Sequence, residues 1–317
     1  MLGLWLDADG ARLRDDLPPP AGGADEVQVD VLCAGVCATD LALARGYMAF
    51  EGVPGHEFVG RARTGRLAGR RVVGEINAGC GTCELCRSGD PRHCGTRTVL
   101  GILGRPGAFA ESLILPAANL HPVPEGVSDE AAVFTEPLAA ACALLEALPD
   151  VASGTPALVV GDGRLGLLCA LVLQNAGAHV TVLGRHPERV ERLPSLRWAK
   201  PEPGQQWPIV VEATGALDGP QRALDLVGAK GTLLLKTTLE APSQLDLARL
   251  VVDEISLVGS RCGRFEDALD LLARGAVDPT PLLDAELPLE KGPQALARAA
   301  QPGTLKVLIR NPATAPS

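Results

Sequence analysis

The sequence has few aromatic residues, no excess of positive charge and no long hydrophobic run. Aromatic residues make up 3% of the 317 residues, which is too few to predict a surface that stacks bases or sugars. The formal net charge is −9, and no dense Lys/Arg face is visible, which argues against nucleic acid as a main partner. The composition therefore predicts a protein that does not bind nucleic acid.

A membrane span and an export signal are also missing from the pattern. The longest apolar run, LGLLCALVL at 165–173, is much shorter than the roughly 20 residues that cross a bilayer. The N-terminal stretch MLGLWLDADG carries early acids and no basic region, unlike a secretory signal. We therefore expect a cytoplasmic protein with no membrane partner.

The sequence is rich in glycine, proline and cysteine, and it is long. Because 317 residues exceed what one hydrophobic core usually organises, the length predicts two domains. The 36 glycines and 26 prolines indicate many turns and short elements. The 9 cysteines show no secretory disulfide framework, and clustered cysteines in a reducing compartment more often bind metal.

Four cysteines fall in one window, CGTCELCRSGDPRHC, at 80–94. They are Cys80, Cys83, Cys86 and Cys94. Four thiolates at this spacing complete a tetrahedral Zn²⁺ shell without an open position, which predicts a structural zinc. Unrelated buried cysteines and an iron–sulfur cluster are the alternatives. Because the window has mixed charges and no aromatic residue, we expect it to fix a loop of a larger domain.

A second group of metal-ligand residues is scattered along the chain. Its members are Cys37 in GVCATD, His56 and Glu57 in VPGHEFVG, and Glu136 in TEPLAAA. Three protein ligands from separate loops, with one position left for water or substrate, are typical of a catalytic zinc. Spacing alone leaves open that His56 is a structural histidine and Glu57 a surface acid.

Residues 156–185 carry a dinucleotide-binding pattern. The turn GDGRLG follows the strand-like ALVV and precedes the helix-like LGLLCALVLQNAG and the strand-like HVTVL. This is the context that the G-x-G-x-x-G fingerprint requires. The glycines let the backbone approach a pyrophosphate, and the helix N-terminus stabilises its charge. The predicted cofactor-binding residues of this turn are Gly161, Gly163, Leu165 and Gly166.

The end of the second strand of this pattern predicts the type of dinucleotide. NAD sites commonly place an acid there for the ribose 2′-OH, but this sequence has Gly184, followed by Arg185 and later Arg189. The missing acid removes repulsion against a 2′-phosphate, and Arg185 can pair with that phosphate. NADP(H) is therefore favoured and NAD(H) is possible. The alternative is that both arginines are solvated residues at a helix start.

Later strand-like segments are WPIVVEATG at 207–215, GTLLLKTT at 231–238 and ISLVGSRCG at 255–263. Their polar ends, Thr214, Lys236 and Arg261, are candidates for the wall of a nicotinamide site. Each of them is equally explained as an ordinary polar residue at a strand end.

The order of these motifs resembles the zinc-dependent medium-chain dehydrogenase/reductase family, nearer its polyol, glucose and threonine dehydrogenase branch. The resemblance covers nearly the whole chain. It implies an α/β fold with a GroES-like β-barrel catalytic domain and a Rossmann domain, which is a doubly wound parallel sheet. The implied boundaries are 1–138 with 263–317 for the discontinuous catalytic domain and 139–262 for the cofactor domain.

The resemblance also implies roles for the scattered metal ligands. Residues matching Cys37 and His56 bind a catalytic zinc, and the acid matching Glu57 is a direct or exchanging ligand. Glu136 stands where the polyol, glucose and threonine branches hold a glutamate. Because both glutamates together would make the site net anionic, we expect Glu57 and Glu136 not to be tight ligands at the same moment.

Two further residues follow from the same match. Thr39 stands where the family passes the substrate's hydroxyl proton outward, and Asp40 where an acid orients the ligand histidine. That both residues merely cap a helix is the alternative, and it is compatible with these roles.

The resemblance implies a zinc-dependent oxidoreductase. It transfers a hydride between NADP(H) or NAD(H) and a secondary alcohol, polyol, sugar or amino alcohol, as a homodimer or homotetramer. The alternatives are a non-catalytic nucleotide-binding sensor and a zinc-free reductase with the same fold. Two zinc ions per chain support the enzyme, and one supports either alternative. The terminal PATAPS, 312–317, is expected to be disordered.

Overall fold

The computed structural model describes residues 1–148, 151–239 and 241–311. The chain forms two units: Met1–Glu136 with Leu283–Ser317, and Pro137–Leu282. The domain boundaries given above stay a prediction, because a unit of dense contacts is not by itself an independently folding domain. The terminal PATAPS, expected to be disordered, lies outside the described residues.

The N-terminal part of the chain is mostly short strands. These strands are β1 (Gly3–Asp7), β2 (Gly10–Arg14), β3 (Glu26–Gly35), β4 (Glu57–Ala62), β5 (Arg71–Gly74), β6 (Asn77–Ala78), β7 (Thr98–Leu100), β8 (Gly104–Arg105), β9 (Ser112–Pro116) and β10 (Leu120–Pro122). The helices are α1 (Ala38–Ala44), α2 (Glu84–Arg87), α3 (Asp129–Ala132) and α4 (Thr135–Cys142).

Strands and helices alternate in the middle of the chain. The strands are β11 (Pro156–Val160), β12 (His179–Leu183), β13 (Arg197–Trp198), β14 (Trp207–Glu212), β15 (Val227–Leu235) and β16 (Ser256–Gly259). The helices are α5 (Arg164–Asn175), α6 (Pro187–Val190), α7 (Gly219–Leu224), α8 (Leu247–Val252) and α9 (Phe265–Ala273).

The C-terminal part adds two strands and a helix. They are β17 (Leu283–Pro288), α10 (Gly292–Ala299) and β18 (Lys306–Arg310). Short 3₁₀ helices lie at Tyr47–Ala49, Pro91–His93, Ala117–Asn119, Thr280–Leu282 and Leu289–Lys291. Within the described ranges, no helix combines the length and the apolar character that a membrane crossing needs.

A seven-stranded sheet organises the first unit. Its order is β10-β5-β4-β3-β18-β17, and β9 also pairs with β3. The central strand β3 alternates buried and half-buried residues over EVQVDV, as a strand with one face on a core does. The C-terminal segment GTLKVLIRN has a strand-like pattern, and its strand β18 pairs antiparallel with β3.

A parallel six-stranded sheet organises the second unit. Its order is β13-β12-β11-β14-β15-β16, and every neighbouring pair is parallel. The chain order reverses between β11 and β14, and this reversal is the topological switch point at which α/β sheets bind ligands. The α/β class and the doubly wound parallel sheet are therefore confirmed. Helix α5 buries eight of its twelve residues, as a helix that covers such a sheet must.

The sequence of SDEAAVFTEPLAAACALLEAL, with helical patterns on either side of one proline, predicts two helices with the break at that proline. The structure has two helices, but the break precedes the proline and falls at 133–134, between α3 and α4. Pro137 lies in the first turn of α4. A missing backbone N–H is tolerated there because first-turn donors have no partner within the helix.

Candidate zinc and dinucleotide sites

Cys37 is held at the start of α1 by Asp40. One carboxylate oxygen of Asp40 accepts a hydrogen bond from the Cys37 backbone N–H at 2.8 Å. The other oxygen accepts one from the backbone N–H of Gly55 at 3.1 Å. Asp40 is fully buried. This one carboxylate thus connects the loop that carries Cys37 to the loop that carries His56.

Three of the four predicted catalytic-zinc ligands lie together. The ligand atoms of Cys37, His56 and Glu57 lie within 4.8 Å of one another. His56 and Glu57 are buried, and Nδ1 of His56 lies 3.4 Å from a carboxylate oxygen of Asp40. A thiol, an imidazole and a carboxylate form a donor set that suits Zn²⁺. Asp40 therefore both caps α1 and lies against the imidazole, so its two predicted roles coexist in geometry.

The protonation of His56 is controlled by its neighbours. Burial disfavours the charged ring, but the negative charge of Asp40, whose carboxylate lies 3.4 Å from Nδ1, and the adjacent Cys37 outweigh it. The pKa of His56 is consequently raised well above its usual value. Without a metal ion the ring therefore tends to hold two protons, and a bound ion displaces one of them.

Thr39 and Glu136 lie differently around this cluster. The Thr39 hydroxyl is 4.0 Å from the Cys37 sulfur, within α1. Glu136 lies in the first turn of α4. Among the described residues, it is not a member of the group whose ligand atoms lie within 4.8 Å. The structure thus brings Cys37, His56 and Glu57 together without Glu136.

The four-cysteine loop forms a second cluster, with the sulfur atoms of Cys80, Cys83, Cys86 and Cys94 within 4.8 Å of one another. The Cys80 sulfur accepts hydrogen bonds from the hydroxyl and backbone N–H of Thr82 and from the N–H of Cys83. These bonds lower the pKa of Cys80 to about 5. Donors aimed at a thiolate, in a set of four thiols, fit a closed Zn²⁺ shell.

The G-x-G-x-x-G turn has the shape that a bound pyrophosphate needs. Gly161 has a φ of 126°, and a Cβ there would lie 2.4 Å from the carbonyl oxygen of Ala213. A Cβ on Gly166 would lie 2.1 Å from the carbonyl oxygen of Gly161. Gly163, the N-cap of α5, has no atom within 4 Å of its Cβ position. The turn is closed behind and open at the helix N-terminus, so it fits a dinucleotide phosphate.

The other predicted dinucleotide residues surround this turn. Leu165 lies in the first turn of α5 and is half-buried. Gly184 follows β12, Arg185 beyond it is exposed, and Arg189 lies in α6 with one nitrogen 3.4 Å from a carboxylate oxygen of Asp162. Arg185 is thus exposed, as a partner of a 2′-phosphate has to be, whereas Arg189 lies beside a carboxylate.

The predicted nicotinamide-wall residues are tied to the protein itself. The backbone N–H and hydroxyl of Thr214 donate to the Glu212 carboxylate. The ammonium of Lys236 is bonded to the carbonyl of Ala140 and, at 3.0 Å, to the hydroxyl of Ser260. These contacts order the carboxyl ends of β14 and β15.

Comparison with known proteins decides the family. Residues 23–125 match the alcohol dehydrogenase GroES-like domain. An L-threonine 3-dehydrogenase of Streptomyces avermitilis is 34% identical over 349 residues, covering 97% of this chain and 96% of the relative. The chain belongs to the zinc-type medium-chain alcohol dehydrogenase family. Its curated relatives include sorbitol and threonine dehydrogenases, so this dehydrogenase is an NAD(P)-dependent alcohol or polyol oxidoreductase of the branch that the sequence motifs predicted.

Solved structures share the whole fold of this dehydrogenase. An Escherichia coli CFT073 alcohol dehydrogenase complexed with NADH has a TM-score of 0.89 and 26% identity, with 98% of this chain and 99% of that chain covered. A Sinorhizobium meliloti zinc-binding dehydrogenase bound to NADP has a TM-score of 0.85 and 24% identity, with 98% of both chains covered. These two proteins differ in the dinucleotide they hold.

Two functional candidates of this dehydrogenase were missed by the sequence analysis. Lys306, at the start of β18, donates from its ammonium to the Glu57 carboxylate in a fully buried ion pair. No local pattern could have shown it, because 249 residues separate the partners. Asp162 could have been noticed in the sequence, because an acid is unexpected inside a glycine turn that binds a pyrophosphate. Only the structure shows that its carboxylate lies beside Gly184.

Proposed function

We propose that this dehydrogenase depends on zinc and transfers a hydride between a nicotinamide dinucleotide and a secondary alcohol, polyol, sugar or amino alcohol. The observation that carries the proposal is the convergence of Cys37, His56 and Glu57 within 4.8 Å. A zinc ion supplies a Lewis acid that polarises the substrate oxygen and lowers the pKa of its hydroxyl. The dinucleotide supplies the hydride acceptor or donor.

The protein side of the zinc site consists of Cys37 and His56 as fixed ligands. Asp40 supports both of them, since it bonds the Cys37 backbone and lies against Nδ1 of His56. A carboxylate at that nitrogen fixes the tautomer and the orientation of the ring, which keeps the other nitrogen toward the ion.

The third ligand is Glu57 or Glu136, in exchange. Glu57 shares its carboxylate with the buried ammonium of Lys306, which competes with a metal ion for the negative charge. This competition supports the expectation that Glu57 is not a tight ligand when Glu136 is one. With one glutamate ligand instead of two, the net charge of the site would be less negative, and the ion would be more electrophilic.

Thr39 is the proposed first proton carrier. A hydroxyl accepts one hydrogen bond and donates another, so it can take the substrate's proton and pass it outward. Its position 4.0 Å from the sulfur of Cys37, which would hold the zinc ion, supports this role.

The dinucleotide site comprises the glycine turn at the switch point of the parallel sheet. Gly161, Gly163, Leu165 and Gly166 form its phosphate-binding part, and Gly184, Arg185, Arg189 and Thr214 flank it. The preference for NADP(H) rests on the missing acid at Gly184 and on Arg185, and it stays a prediction. The contact of Arg189 with Asp162 leads to a different proposal below.

Metal counting combined with turnover tests the proposed function. We expect two zinc ions per chain in purified protein, and oxidation of members of a panel of secondary alcohols and polyols with NAD⁺ or NADP⁺. Cys37→Ser should lower the count by one and abolish turnover. A wild-type protein with one zinc, or a Cys37→Ser variant with normal turnover, would contradict the catalytic zinc and favour the sensor or the zinc-free reductase.

We also propose that the protein assembles as a homodimer or homotetramer. In the described part of the chain, β16 pairs only with β15 and leaves its other edge open. Leu247, Val251 and Val252 of the neighbouring α8 are 65%, 77% and 80% exposed. An open edge strand beside apolar side chains favours pairing with a second copy about a two-fold axis.

Light scattering during size-exclusion chromatography tests this assembly. The Val251→Asp/Val252→Asp variant should elute as a smaller species than the wild type. Leu103→Asp, at an exposed leucine of the first unit, is the matched control and should assemble normally. A monomeric wild type would contradict the proposed assembly.

A further inference from the structure

The space beyond β12, where an acid of an NAD site would lie, is filled by another part of the chain. A Cβ built on Gly184 would lie 2.3 Å from Cγ and 2.4 Å from Cβ of Asp162. No side chain fits at position 184 while Asp162 stays where it is. A carboxyl group therefore does lie at the end of β12, but it belongs to Asp162 of the glycine turn and not to a residue of the strand.

Asp162 is held firmly in this place. Its residue is 7% exposed, and one carboxylate oxygen accepts a hydrogen bond from the backbone N–H of His186. The other oxygen lies 3.4 Å from a guanidinium nitrogen of Arg189. The indole N–H of Trp198 donates to the carbonyl of Gly184 at 3.2 Å, which fixes the strand end beside it. These contacts orient the carboxylate toward the loop that follows β12.

The carboxylate keeps acceptor capacity after these bonds. An ionised carboxylate offers about four lone-pair positions, and the backbone N–H of His186 and the guanidinium of Arg189 use two of them. Ribose hydroxyls are donors and match such a group. A 2′-phosphate is an anion with acceptor oxygens only, so it is repelled at the same place.

The nearby arginines do not reverse this preference. Arg189 already faces the Asp162 carboxylate, so part of its charge is neutralised there. Arg185 is exposed to solvent, where an ion pair contributes little. The local balance therefore favours the uncharged ribose over the phosphorylated one.

We propose that Asp162 is the specificity-determining residue for the dinucleotide, and that its carboxylate selects NAD(H) over NADP(H) from the glycine turn. This inference rests on the proposed dinucleotide binding. It departs from the NADP(H) preference drawn from the sequence, since that preference considered the strand end alone.

Equilibrium titration with NADH and NADPH, followed by nucleotide fluorescence, tests the inference without turnover. The wild-type holoprotein should bind NADH at least about tenfold more tightly than NADPH. Asp162→Ser should weaken NADH binding and strengthen NADPH binding, which shifts the ratio of the two Kd values by about 100-fold. Glu188→Gln removes an acid from the same loop whose side chain is 64% exposed, and it should leave the ratio unchanged.

Asp162→Asn provides a second variant of nearly the same shape, in case Asp162→Ser does not fold. It removes the charge and should shift the ratio toward NADPH by at least about tenfold. Tighter NADPH binding by the wild type, or an unchanged ratio in the folded Asp162 variants, would overturn the inference and leave the dehydrogenase proposal intact. Failure of the wild type to bind either dinucleotide would overturn both.

Discussion

The first unit contains two clusters of possible metal ligands, and these clusters differ in their residue types and in their surroundings. The cluster of Cys80, Cys83, Cys86 and Cys94 consists of one donor type on one loop, in which Cys80 is exposed, Cys83 and Cys86 are half-buried and Cys94 is buried. The cluster of Cys37, His56 and Glu57 mixes three donor types from two segments, and its imidazole and carboxylate are buried. A uniform set of four suits permanent occupation, whereas a mixed set of three leaves one coordination position for another molecule.

The charged groups around the clusters differ in the same way. The Cys80 sulfur is surrounded by N–H and O–H donors, which stabilise a thiolate and involve no other charge. Glu57 is paired with a buried lysine, so the lysine and a metal ion would compete for its negative charge. The four-cysteine cluster is therefore suited to permanent binding of an ion. In the other cluster, Glu57 is suited to leave and rejoin the ion.

The largest expected effect is on turnover. Cys37→Ala should reduce kcat/KM by about 10³-fold or more, because the substrate loses its Lewis acid. The variant should still fold, since Cys37 is not part of the hydrophobic core. Steady-state kinetics measures kcat/KM, zinc analysis measures the loss of one ion, and thermal melting shows that the variant folds. A stable variant with more than a tenth of the wild-type rate would contradict the catalytic role of the cluster that contains Cys37.

The next effect is on stability. Lys306→Met leaves the Glu57 carboxylate buried without its cation, which should lower the free energy of unfolding by about 3–5 kcal/mol. The variant also loses the contact of the ammonium with the Phe134 ring, whose centre is 5.2 Å away. Lys291→Met, at an exposed lysine of the same unit, is the control and should change the free energy of unfolding by less than about 0.5 kcal/mol.

Denaturant unfolding of the zinc-depleted proteins measures both variants. The Lys306→Met/Glu57→Gln variant should recover part of the loss, because no buried charge is left unpaired. If Lys306→Met alone is as stable as the wild type, the ion pair does not contribute to the free energy of unfolding, and Lys306 does not compete with a metal ion for Glu57.

A smaller effect is expected at the other cluster. Cys86→Ser should reduce zinc by one ion per chain and lower the melting temperature, because structural metal binding contributes to the folding free energy. In contrast with Cys37→Ala, the variant should keep measurable turnover at low temperature. Complete loss of turnover in a folded Cys86→Ser variant would show that the two clusters do not have separate roles.

The smallest effect concerns a hydrogen bond to sulfur. Thr82→Val removes the hydroxyl donor to Cys80, so the pKa of this thiol should rise from about 5. Zinc affinity at the loop should fall by about tenfold, in the lower part of the range for residues that support metal ligands. Competition with a chromophoric chelator measures this affinity. Thr96→Val, which removes the hydroxyl 3.6 Å from the Cys94 sulfur, provides a second measurement of the same kind.

Local patterns predicted much of this molecule. The turn GDGRLG, its strand and its helix were visible because the strand, glycines and helix are consecutive in sequence, and the parallel sheet follows from that alternation. The four-cysteine loop was visible for the same reason. The family resemblance implied that the C-terminal segment belongs to the catalytic domain, whereas the pairing of β18 with β3 is known from the structure alone.

The remaining features depend on contacts between distant segments. The pairing of Lys306 with Glu57 leaves no periodic signal, and a lysine at the start of an apolar strand reads as a solvated residue. The position of Asp162 depends on how the turn folds against Gly184, which cannot be read from either segment alone. Glu136 was grouped with the other metal ligands by resemblance, and its role as a ligand stays a prediction.

The missing side chain at Gly184 has a consequence for protein engineering. Introducing the customary aspartate at this position alone would produce a collision with Asp162, not a redesigned coenzyme pocket. Positions 162 and 184 must instead be exchanged as a pair, with a small residue entering the turn whenever a larger one enters the strand end. Libraries that vary one position at a time would overlook every such combination.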